Sequence, residues 1–187
     1  MKVVFVCAPG AGGHKDDRAM LATAAALDAH GLEVVRFNFP YRERGARRPD
    51  PMPTLRSAFE SVVARARGDF PQCKLIIGGR SMGGRVATLL AADGFACDGL
   101  LLFAYPLHPA GQPEKLRDAH LPRIEVPVLC FNGTRDALCR RDLMERALET
   151  VTTEWQMRWI DGADHSLKSE RPMHEMADAV AAWVNAL

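Results

Sequence analysis

Short apolar runs alternate with longer amphipathic stretches along the whole chain. Four of the six apolar runs are almost continuously apolar, which is typical of parallel strands buried on both faces. The second and sixth runs alternate between apolar and polar residues, as edge strands do. The six runs are Val3–Cys7, Glu33–Phe37, Lys74–Ile77, Leu100–Ala104, Val126–Phe131 and Trp155–Ile160.

Each stretch that follows a predicted strand, with one exception, repeats apolar residues at helical spacing. The predicted helices are Asp17–His30, Leu55–Arg67, Met82–Ala92, Arg140–Thr150 and the tail from Met173 onward. A strand followed by a helix, repeated along the chain, predicts βαβ units. We therefore expect an α/β protein with a doubly wound, six-stranded, mostly parallel sheet and helices on both faces.

Composition narrows the class of protein. The 187 residues suit a single domain over residues 1–187, and the net charge of +1 gives no overall case for binding nucleic acid or membranes. No apolar run approaches the roughly 18 residues of a membrane span. The five cysteines lack CxxC spacing, which favours reduced thiols in a cytoplasmic protein over a disulfide framework or a metal site.

Two long loops follow predicted strands and should lie at the carboxyl edge of the sheet, where ligands bind in this architecture. They span Asn38–Pro53 and Tyr105–Pro122. The second contains the stretch EKLRDAHL, for which we expect one short helix. We find no internal repeat and no low-complexity segment that would indicate a further domain.

Candidate chemistry begins at the third predicted strand, which runs into Gly79-Arg80-Ser81-Met82-Gly83. This stretch matches G-x-S-x-G between a strand and a helix, the context of a nucleophile elbow. The positions two before and two after the serine crowd each other, so only small residues fit there. The alternative is a glycine-rich turn in which the serine only caps the following helix.

A serine hydroxyl needs a base, and the base needs an acid that orients it. Asp136 follows the fifth predicted strand, and His165 follows the sixth. Both should therefore reach the same edge of the sheet as Ser81, in the chain order Ser, Asp, His. These three residues are our predicted catalytic triad.

The bland alternatives are a helix cap for Asp136 and an ordinary loop position for His165. Asp161 and Asp164 are rival acids, but both are too near His165 along the chain to approach its ring from a neighbouring strand. No carboxylate directly follows the fourth strand, where the acid could also have been placed. The coincidence of three suitable residues at three suitable strand ends favours the triad.

Acyl transfer also requires donors for an oxyanion. The backbone N–H of Met82 is one expected donor, and Ala11 in the loop after the first strand is the other. Gly10 and Gly12 would let that loop approach the substrate closely. The loop is rich in glycine but matches neither the P-loop nor the dinucleotide-binding pattern, so no nucleotide or other cofactor is predicted.

Together these residues make the chain similar to the α/β-hydrolase superfamily, and more narrowly to its small, cap-less, dienelactone-hydrolase-like branch. Within that branch it resembles a hydrolase-like group with bacterial, animal testis-expressed and chromatin-complex members. The most diagnostic stretches are RFNFPYRERGARRPDP and YPLHPAGQPEKLRDAHL, beside PGAGG, IIGGRSMGGRVA, NGTRD and GADHSL. The resemblance implies six parallel strands in the order 2-1-3-4-5-6 and no cap domain.

The resemblance also implies that Ser81 is the nucleophile, His165 the general base and acid, and Asp136 its orienting partner. Dienelactone hydrolases themselves have a cysteine where this chain has Ser81. The common His-Gly before the oxyanion loop is Pro9-Gly10 in this chain.

Substrate contacts are less sharply indicated. We expect Arg80, Tyr105 and His108 to flank the pocket, with Arg80 braced against loop carbonyls. The short insertion after the fourth strand predicts an open, shallow site suited to small or exposed esters. The loop arginines at positions 42, 44, 47 and 48 could attract an acidic substrate, but ordinary pairing with Glu43 and Asp50 is the simpler interpretation.

The leading hypothesis is a cytoplasmic serine hydrolase that cleaves small carboxylic esters or thioesters through an acyl-enzyme. Its expected partner is a small-molecule ester, with no nucleic acid and no membrane, and the sequence leaves a homodimer open. A catalytically idle, hydrolase-like scaffold is the second hypothesis, because a fold alone does not establish an activity. A peptidase of the same fold is the third.

Overall fold

The computed structural model describes residues 2–167 and 173–187, without the side chains of residues 173 and 174. Its centre is one sheet of six strands in the order β2-β1-β3-β4-β5-β6, and every pair of neighbours is parallel. The predicted strand order is therefore confirmed, with the two alternating runs at the edges. The strands are β1 Val3–Ala8, β2 Leu32–Arg36, β3 Lys74–Arg80, β4 Gly99–Phe103, β5 Val128–Gly133 and β6 Trp155–Ile160.

Six α-helices and one 3₁₀ turn accompany the strands in the described residues, and α6 follows the last strand. They are α1 Arg18–Asp28, α2 Pro40–Glu43, α3 Met52–Asp69, α4 Met82–Ala92, the 3₁₀ turn Leu121–Arg123, α5 Arg141–Leu148 and α6 Met173–Ala186. Among the described helices, none combines the length and the low polarity that crossing a bilayer requires.

The sheet is buried on both faces. Along β1 the side chains of Val4 and Val6 belong to the core that includes α3 and α4, whereas Phe5 belongs to the core that includes α1 and α6. All six residues of β1 are buried. This explains why the inner strands are nearly continuous apolar runs, since both faces of each strand must be apolar.

Several details differ from the sequence predictions. A short helix, α2, lies inside the predicted loop Asn38–Pro53, and α3 already begins at Met52. The prediction of a short helix in EKLRDAHL is wrong, because the regular structure there is limited to the 3₁₀ turn that starts at Leu121. The segment between β4 and β5 is therefore an extended excursion over the sheet edge, and no cap domain is present among the described residues.

Candidate active site

Ser81 occupies the sharp turn between β3 and α4. Its φ of 46° and ψ of −115° place it in backbone space that a residue with a Cβ rarely adopts. The turn is fixed from outside, because the N–H of Ser81 donates to the carbonyl of Phe103 on β4 at 2.9 Å. Such strain persists only where the surrounding structure holds it, and it is concentrated at functional sites.

The glycines on either side of Ser81 are required by close backbone packing. A Cβ on Gly79 would lie 2.1 Å from the carbonyl oxygen of Ala8, and one on Gly83 would lie 2.6 Å from the same oxygen. Gly79 also has a φ of 137°. The turn therefore presses directly onto the end of β1, and neither position accepts a side chain.

His165 links Ser81 to Asp136 in the folded chain. Its Nε2 lies 2.8 Å from the Oγ of Ser81, and its Nδ1 lies 2.8 Å from Oδ2 and 3.0 Å from Oδ1 of Asp136. With the proton on Nδ1 donated to the carboxylate, Nε2 is left to accept the hydroxyl proton of Ser81. The structure thus brings the three residues of the predicted triad within hydrogen-bond distance.

The Asp136 carboxylate is held in place by other residues as well. Its side chain is fully buried, whereas that of His165 is about one-third exposed. Oδ1 accepts the N–H of Leu138 at 2.8 Å, and Oδ2 lies 3.3 Å from the amide nitrogen of Asn132. The backbone N–H of Leu138 fixes one oxygen, so the carboxylate presents a stable face to the imidazole.

Asn132 is a buried residue that sequence reasoning missed. Its Oδ1 accepts the N–H of Tyr105 at 3.0 Å, and its Nδ2 donates to the carbonyl of Tyr105 at 3.2 Å and toward Asp136. It therefore ties the end of β4 to the loop that carries Asp136. The available signal was an amide at the end of an otherwise apolar strand, immediately before the Gly-Thr-Arg-Asp turn.

The rival acids have other partners. Asp161 Oδ1 accepts the hydroxyl of Thr134 at 3.2 Å, and Asp164 Oδ1 accepts the N–H of Ser166 at 2.8 Å. Both contacts shape the turns around His165. Asp136 is thus the carboxylate that meets the His165 ring in a two-oxygen arrangement.

The loop after β1 passes over Ser81. An ideal Cβ on Gly10 would lie 3.5 Å from the Cβ of Ser81, so this loop covers the serine closely. Gly12 has a φ of 71°, and its N–H donates to the hydroxyl of Tyr41 at 2.9 Å. Tyr41 is fully buried, and sequence reasoning missed it because it lies in α2, inside a segment predicted to be a loop.

The expected oxyanion donors remain available. Within the described residues, neither the N–H of Ala11 nor that of Met82 donates a hydrogen bond. Met82 is the first residue of α4, so its N–H has no intrahelical acceptor. Both residues line a cavity beside Ser81. Their positions suit the predicted role of oxyanion donors.

Two cavities meet at Ser81. The first, here called the His165 cavity, has a volume of about 620 Å³ and includes His165 and Arg80 in its lining. The second, the Met82 cavity, has a volume of about 480 Å³ and includes Met82 in its lining. Ser81, Ala11 and Leu138 line both. Ser81 therefore lies where two separate parts of a substrate could meet.

Arg80 contacts the loop that carries His165. Its guanidinium donates to the carbonyl of Ser166 at 2.9 Å, and burial lowers the pKa of Arg80. The nearby thiol of Cys7 is fully buried, and that burial raises its pKa to about 12. Arg80 thus lies against a loop carbonyl and at the edge of the His165 cavity, consistent with the brace that the sequence suggested.

Tyr105 and His108 do not flank the site as expected. The Tyr105 side chain is fully buried, and its hydroxyl donates to the carbonyl of Arg117 at 3.1 Å. His108 is 2% exposed, and its Nε2 accepts the N–H of Arg140 at 3.1 Å. Both side chains turn into the protein, because the segment after β4 uses them to anchor itself.

The basic loop before α3 makes local contacts. Arg44 pairs with Asp50 at 2.6 Å, and Arg42 donates to the carbonyl of Ala46 at 3.2 Å. These contacts favour the interpretation as a solvated, self-paired loop. No group of three or more potential metal ligands occurs within the part of the chain that the structure describes.

A sequence model described as an alpha/beta hydrolase domain matches residues 1–186. The chain belongs to that family. The match covers nearly the whole chain. The described residues form no cap domain, in agreement with the resemblance noted from the sequence.

Solved structures of similar fold include several members of the alpha/beta hydrolase class. The chain is similar to an alpha-beta serine hydrolase homologue from Coxiella burnetii, with 19% identity, a TM-score of 0.79, and coverage of 97% of this chain and 85% of that one. It is also similar to dienelactone hydrolase from Anabaena variabilis, with 20% identity, a TM-score of 0.77, and coverage of 99% and 86%. It is similar as well to XC6422 from Xanthomonas campestris, a serine hydrolase without a lid, with 23% identity, a TM-score of 0.76, and coverage of 98% of this chain and 81% of that one.

Proposed function

We propose that this protein is a serine hydrolase that cleaves small carboxylic esters or thioesters through an acyl-enzyme. The observation that carries the proposal is His165, whose Nε2 lies 2.8 Å from Ser81 Oγ while its Nδ1 lies 2.8 Å from Asp136. Membership in the alpha/beta hydrolase domain family supports the same class of reaction.

In the acylation step, Ser81 Oγ attacks the substrate carbonyl carbon and its proton passes to His165 Nε2. The carbonyl π electrons move to oxygen, and the resulting oxyanion accepts hydrogen bonds from the N–H of Met82 and from the loop that contains Ala11. The imidazolium that forms is stabilised by Asp136. The tetrahedral intermediate then collapses and expels the alcohol or thiol, which takes the proton from Nε2.

In the deacylation step, water enters the position that the leaving group has vacated. His165 Nε2 removes a proton from the water as the water oxygen attacks the acyl carbon. When the second tetrahedral intermediate collapses, the bond from the acyl carbon to Ser81 Oγ breaks and His165 Nε2 donates that proton to Ser81 Oγ. The products are a carboxylic acid and the regenerated serine. The one-third exposed His165 side chain supports this step, because it leaves a route for water to the imidazole.

The surroundings of Ser81 support the proposed substrate class. The segment between β4 and β5 forms no cap over the described site, and the two cavities have volumes of about 620 and 480 Å³. Neither feature suits enclosure of a long lipid chain. We therefore favour short or exposed acyl groups joined to an alcohol or thiol of modest size.

Replacement of Ser81 by alanine tests the proposal. Turnover of a short activated ester, such as p-nitrophenyl acetate, should fall to the level without enzyme, because the attacking oxygen is gone. The matched control is Ser61→Ala, since Ser61 is an exposed residue of α3 whose hydroxyl donates only to the backbone of its own helix. Equal turnover by Ser81→Ala and the wild type would reject the proposal.

A further inference from the structure

The two cavities beside Ser81 have different chemical roles if Ser81 is acylated, as proposed above. His165 must deliver its proton to the leaving-group oxygen or sulfur, so the leaving group lies on the side where His165 is exposed. The His165 cavity contains that imidazole, and the Met82 cavity does not. The acyl chain therefore extends into the Met82 cavity.

The Met82 cavity is lined by two arginines that the mechanism does not use. Arg85 lies one helical turn after the serine, and its N–H donates to the carbonyl of Ser81 at 3.0 Å. Arg117 lies in the segment between β4 and β5 and lines the same cavity. Arg85 and Arg117 thus line the same cavity as Ser81.

Neither arginine has a counter-ion among the described residues. No side-chain hydrogen bond or ion pair of Arg85 or Arg117 occurs within residues 2–167 and 173–187, and Arg85 Nε is buried without an acceptor. Asp50 also lines the cavity; its Oδ1 pairs with Arg44 at 2.6 Å, and its Oδ2 is buried without a hydrogen-bond partner, so neither oxygen is ion-paired to Arg85 or Arg117. An unpaired, partly desolvated guanidinium is costly, so proteins normally give such groups an anion.

The lowered pKa of Arg85 indicates that its charged form is destabilised where it lies. Burial is the main cause that lowers the pKa of Arg85; Tyr105 raises it, and the positive charge of Arg117 lowers it. The two cations are therefore near enough to repel each other in a partly buried place. A bound anion would offset both the desolvation cost of the Arg85 guanidinium and its repulsion by Arg117.

The backbone of Arg117 is firmly anchored. This favours a preformed binding site over a mobile arginine on the surface. Its N–H donates to the carbonyl of Leu107 at 2.7 Å, and its carbonyl accepts the hydroxyl of Tyr105 at 3.1 Å. Beneath it, His120 Nε2 lies 2.9 Å from the hydroxyl of Thr88 on α4. This buried polar network joins the segment that carries Arg117 to the helix that carries Arg85.

We propose that Arg85 and Arg117 bind an anionic group at the far end of the substrate's acyl chain, so that the preferred substrates are monoesters or monothioesters of short diacids. Guanidinium groups match the oxygens of a carboxylate or a phosphoryl group in paired hydrogen bonds. This inference rests on the proposed function, because it uses the position of the acyl chain during attack by Ser81.

The test compares 4-nitrophenyl monoesters of six-, seven- and eight-carbon dicarboxylic acids with the same esters methylated at the free carboxylate. Wild-type kcat/KM should favour the anionic ester by about tenfold or more, since a hydrogen-bonded charge contributes that much or more. An ester with a terminal phosphonate in place of the carboxylate distinguishes the two anions. The chain length with the largest preference reports the reach from Ser81 to the arginines.

The variants Arg85→Met and Arg117→Met should each lower the ratio of anionic to methylated kcat/KM by about tenfold, because each removes a cation and keeps an apolar stem. Arg85→Lys should lie between them and the wild type. The matched control is Arg65→Met, an exposed arginine of α3 outside both cavities, which should leave the ratio unchanged. A general loss of folding or of Ser81 reactivity lowers kcat/KM for both esters equally, so it cancels in the ratio of anionic to methylated kcat/KM.

Failure of the inference is distinguishable from failure of the proposed function. If the wild type cleaves the methylated esters through Ser81 but shows no anionic preference, or if Arg85→Met keeps that preference, the inference is wrong and the proposed function stands. If Ser81→Ala is as active as the wild type, the proposed function is wrong. Calorimetric binding of adipate then decides the anion site: weaker binding to Arg85→Met supports it, and no binding to the wild type overturns it.

Discussion

The turn around Ser81 and the segment between β4 and β5 lie at the same edge of the sheet, but they are shaped by different forces. At the turn, adjacent residues settle the structure: Gly79 and Gly83 cannot carry a Cβ against the end of β1. In the segment after β4, Tyr105 and His108 are fixed by distant partners at Asn132 and Arg140. A functional residue can therefore be predicted from the sequence where backbone sterics between adjacent residues fix its position. It cannot be predicted where hydrogen bonds to distant residues fix it.

Asp136 is placed both by the end of its strand and by hydrogen bonds to other residues. Of the replacements considered, that of Asp136 should have the largest effect on activity. Asp136→Asn should lower kcat by about 10³- to 10⁴-fold, since the amide can hold the imidazole in the wrong tautomer and cannot stabilise its cation. The kcat of a short 4-nitrophenyl ester measures this loss. Asp161→Asn is the matched control, because Asp161 contacts Thr134 in the same region; an equal loss in both variants would contradict the assignment of the acid.

The steric side of the comparison is tested by two helical glycines. Gly83→Ala should lower the free energy of unfolding by about 3 kcal/mol or more, because its Cβ would meet backbone oxygens of Ala8 and Pro9 at 2.6 Å that cannot move independently. Gly68→Ala in α3 meets nothing within 4 Å and should raise stability by about 0.5–1 kcal/mol. Urea unfolding measures both changes. Equal effects would show that close packing does not determine the turn.

The buried network under the segment after β4 predicts a pH dependence. Burial lowers the pKa of His120 to about 4, from an ordinary value near 6.5. Between those values the unfolded chain binds a proton that the folded chain does not, so the free energy of unfolding falls as the pH decreases. The loss from this group approaches about 2–3 kcal/mol near pH 4.

His120→Gln should remove that component, because glutamine does not titrate and still offers a donor to Thr88. Urea unfolding of both proteins at pH 7, 5.5 and 4.5 measures the difference. The wild type should lose more stability on acidification than the variant. Parallel pH dependences would mean that His120 is not the group held neutral in the fold.

Asn132 links the two regions, and its removal should have the smallest of these effects on activity. Asn132→Ala leaves the N–H of Tyr105 buried without its acceptor and should lower the free energy of unfolding by about 1–3 kcal/mol. The kcat should fall by about tenfold with KM unchanged, since Asp136 keeps the hydrogen bond from Leu138. A loss of stability with unchanged kcat would restrict Asn132 to a structural role.

The fold was predictable because burial on both faces imposes apolar strands and the helices repeat at a regular spacing. The six strands and their order agree with the prediction, and β6 agrees in both bounds. The end of β3 was placed too early, since the strand continues through two glycines to Arg80. Those glycines weaken a strand by propensity, but parallel pairing with β1 and β4 overrides that preference.

The candidate site was predictable only in part, for a related reason. Ser81, Asp136 and His165 each follow a strand, so topology alone brings them to one edge. Tyr41 and Asn132 act through hydrogen bonds to residues 29 and 27 positions away in the chain. No local pattern reports such a partner. The expected pocket positions of Tyr105 and His108 failed in the same way, because strand ends fix the backbone and not the direction of a side chain.

The most direct test of the account is labelling with a fluorophosphonate probe, followed by intact-mass measurement and mapping of the adduct. The account predicts one adduct on the folded wild type, located at Ser81, with no adduct on Ser81→Ala and slow labelling of Asp136→Asn and of denatured protein. Labelling of the folded wild type no faster than of the denatured chain would contradict the account. It would leave a hydrolase-like scaffold with an unreactive serine.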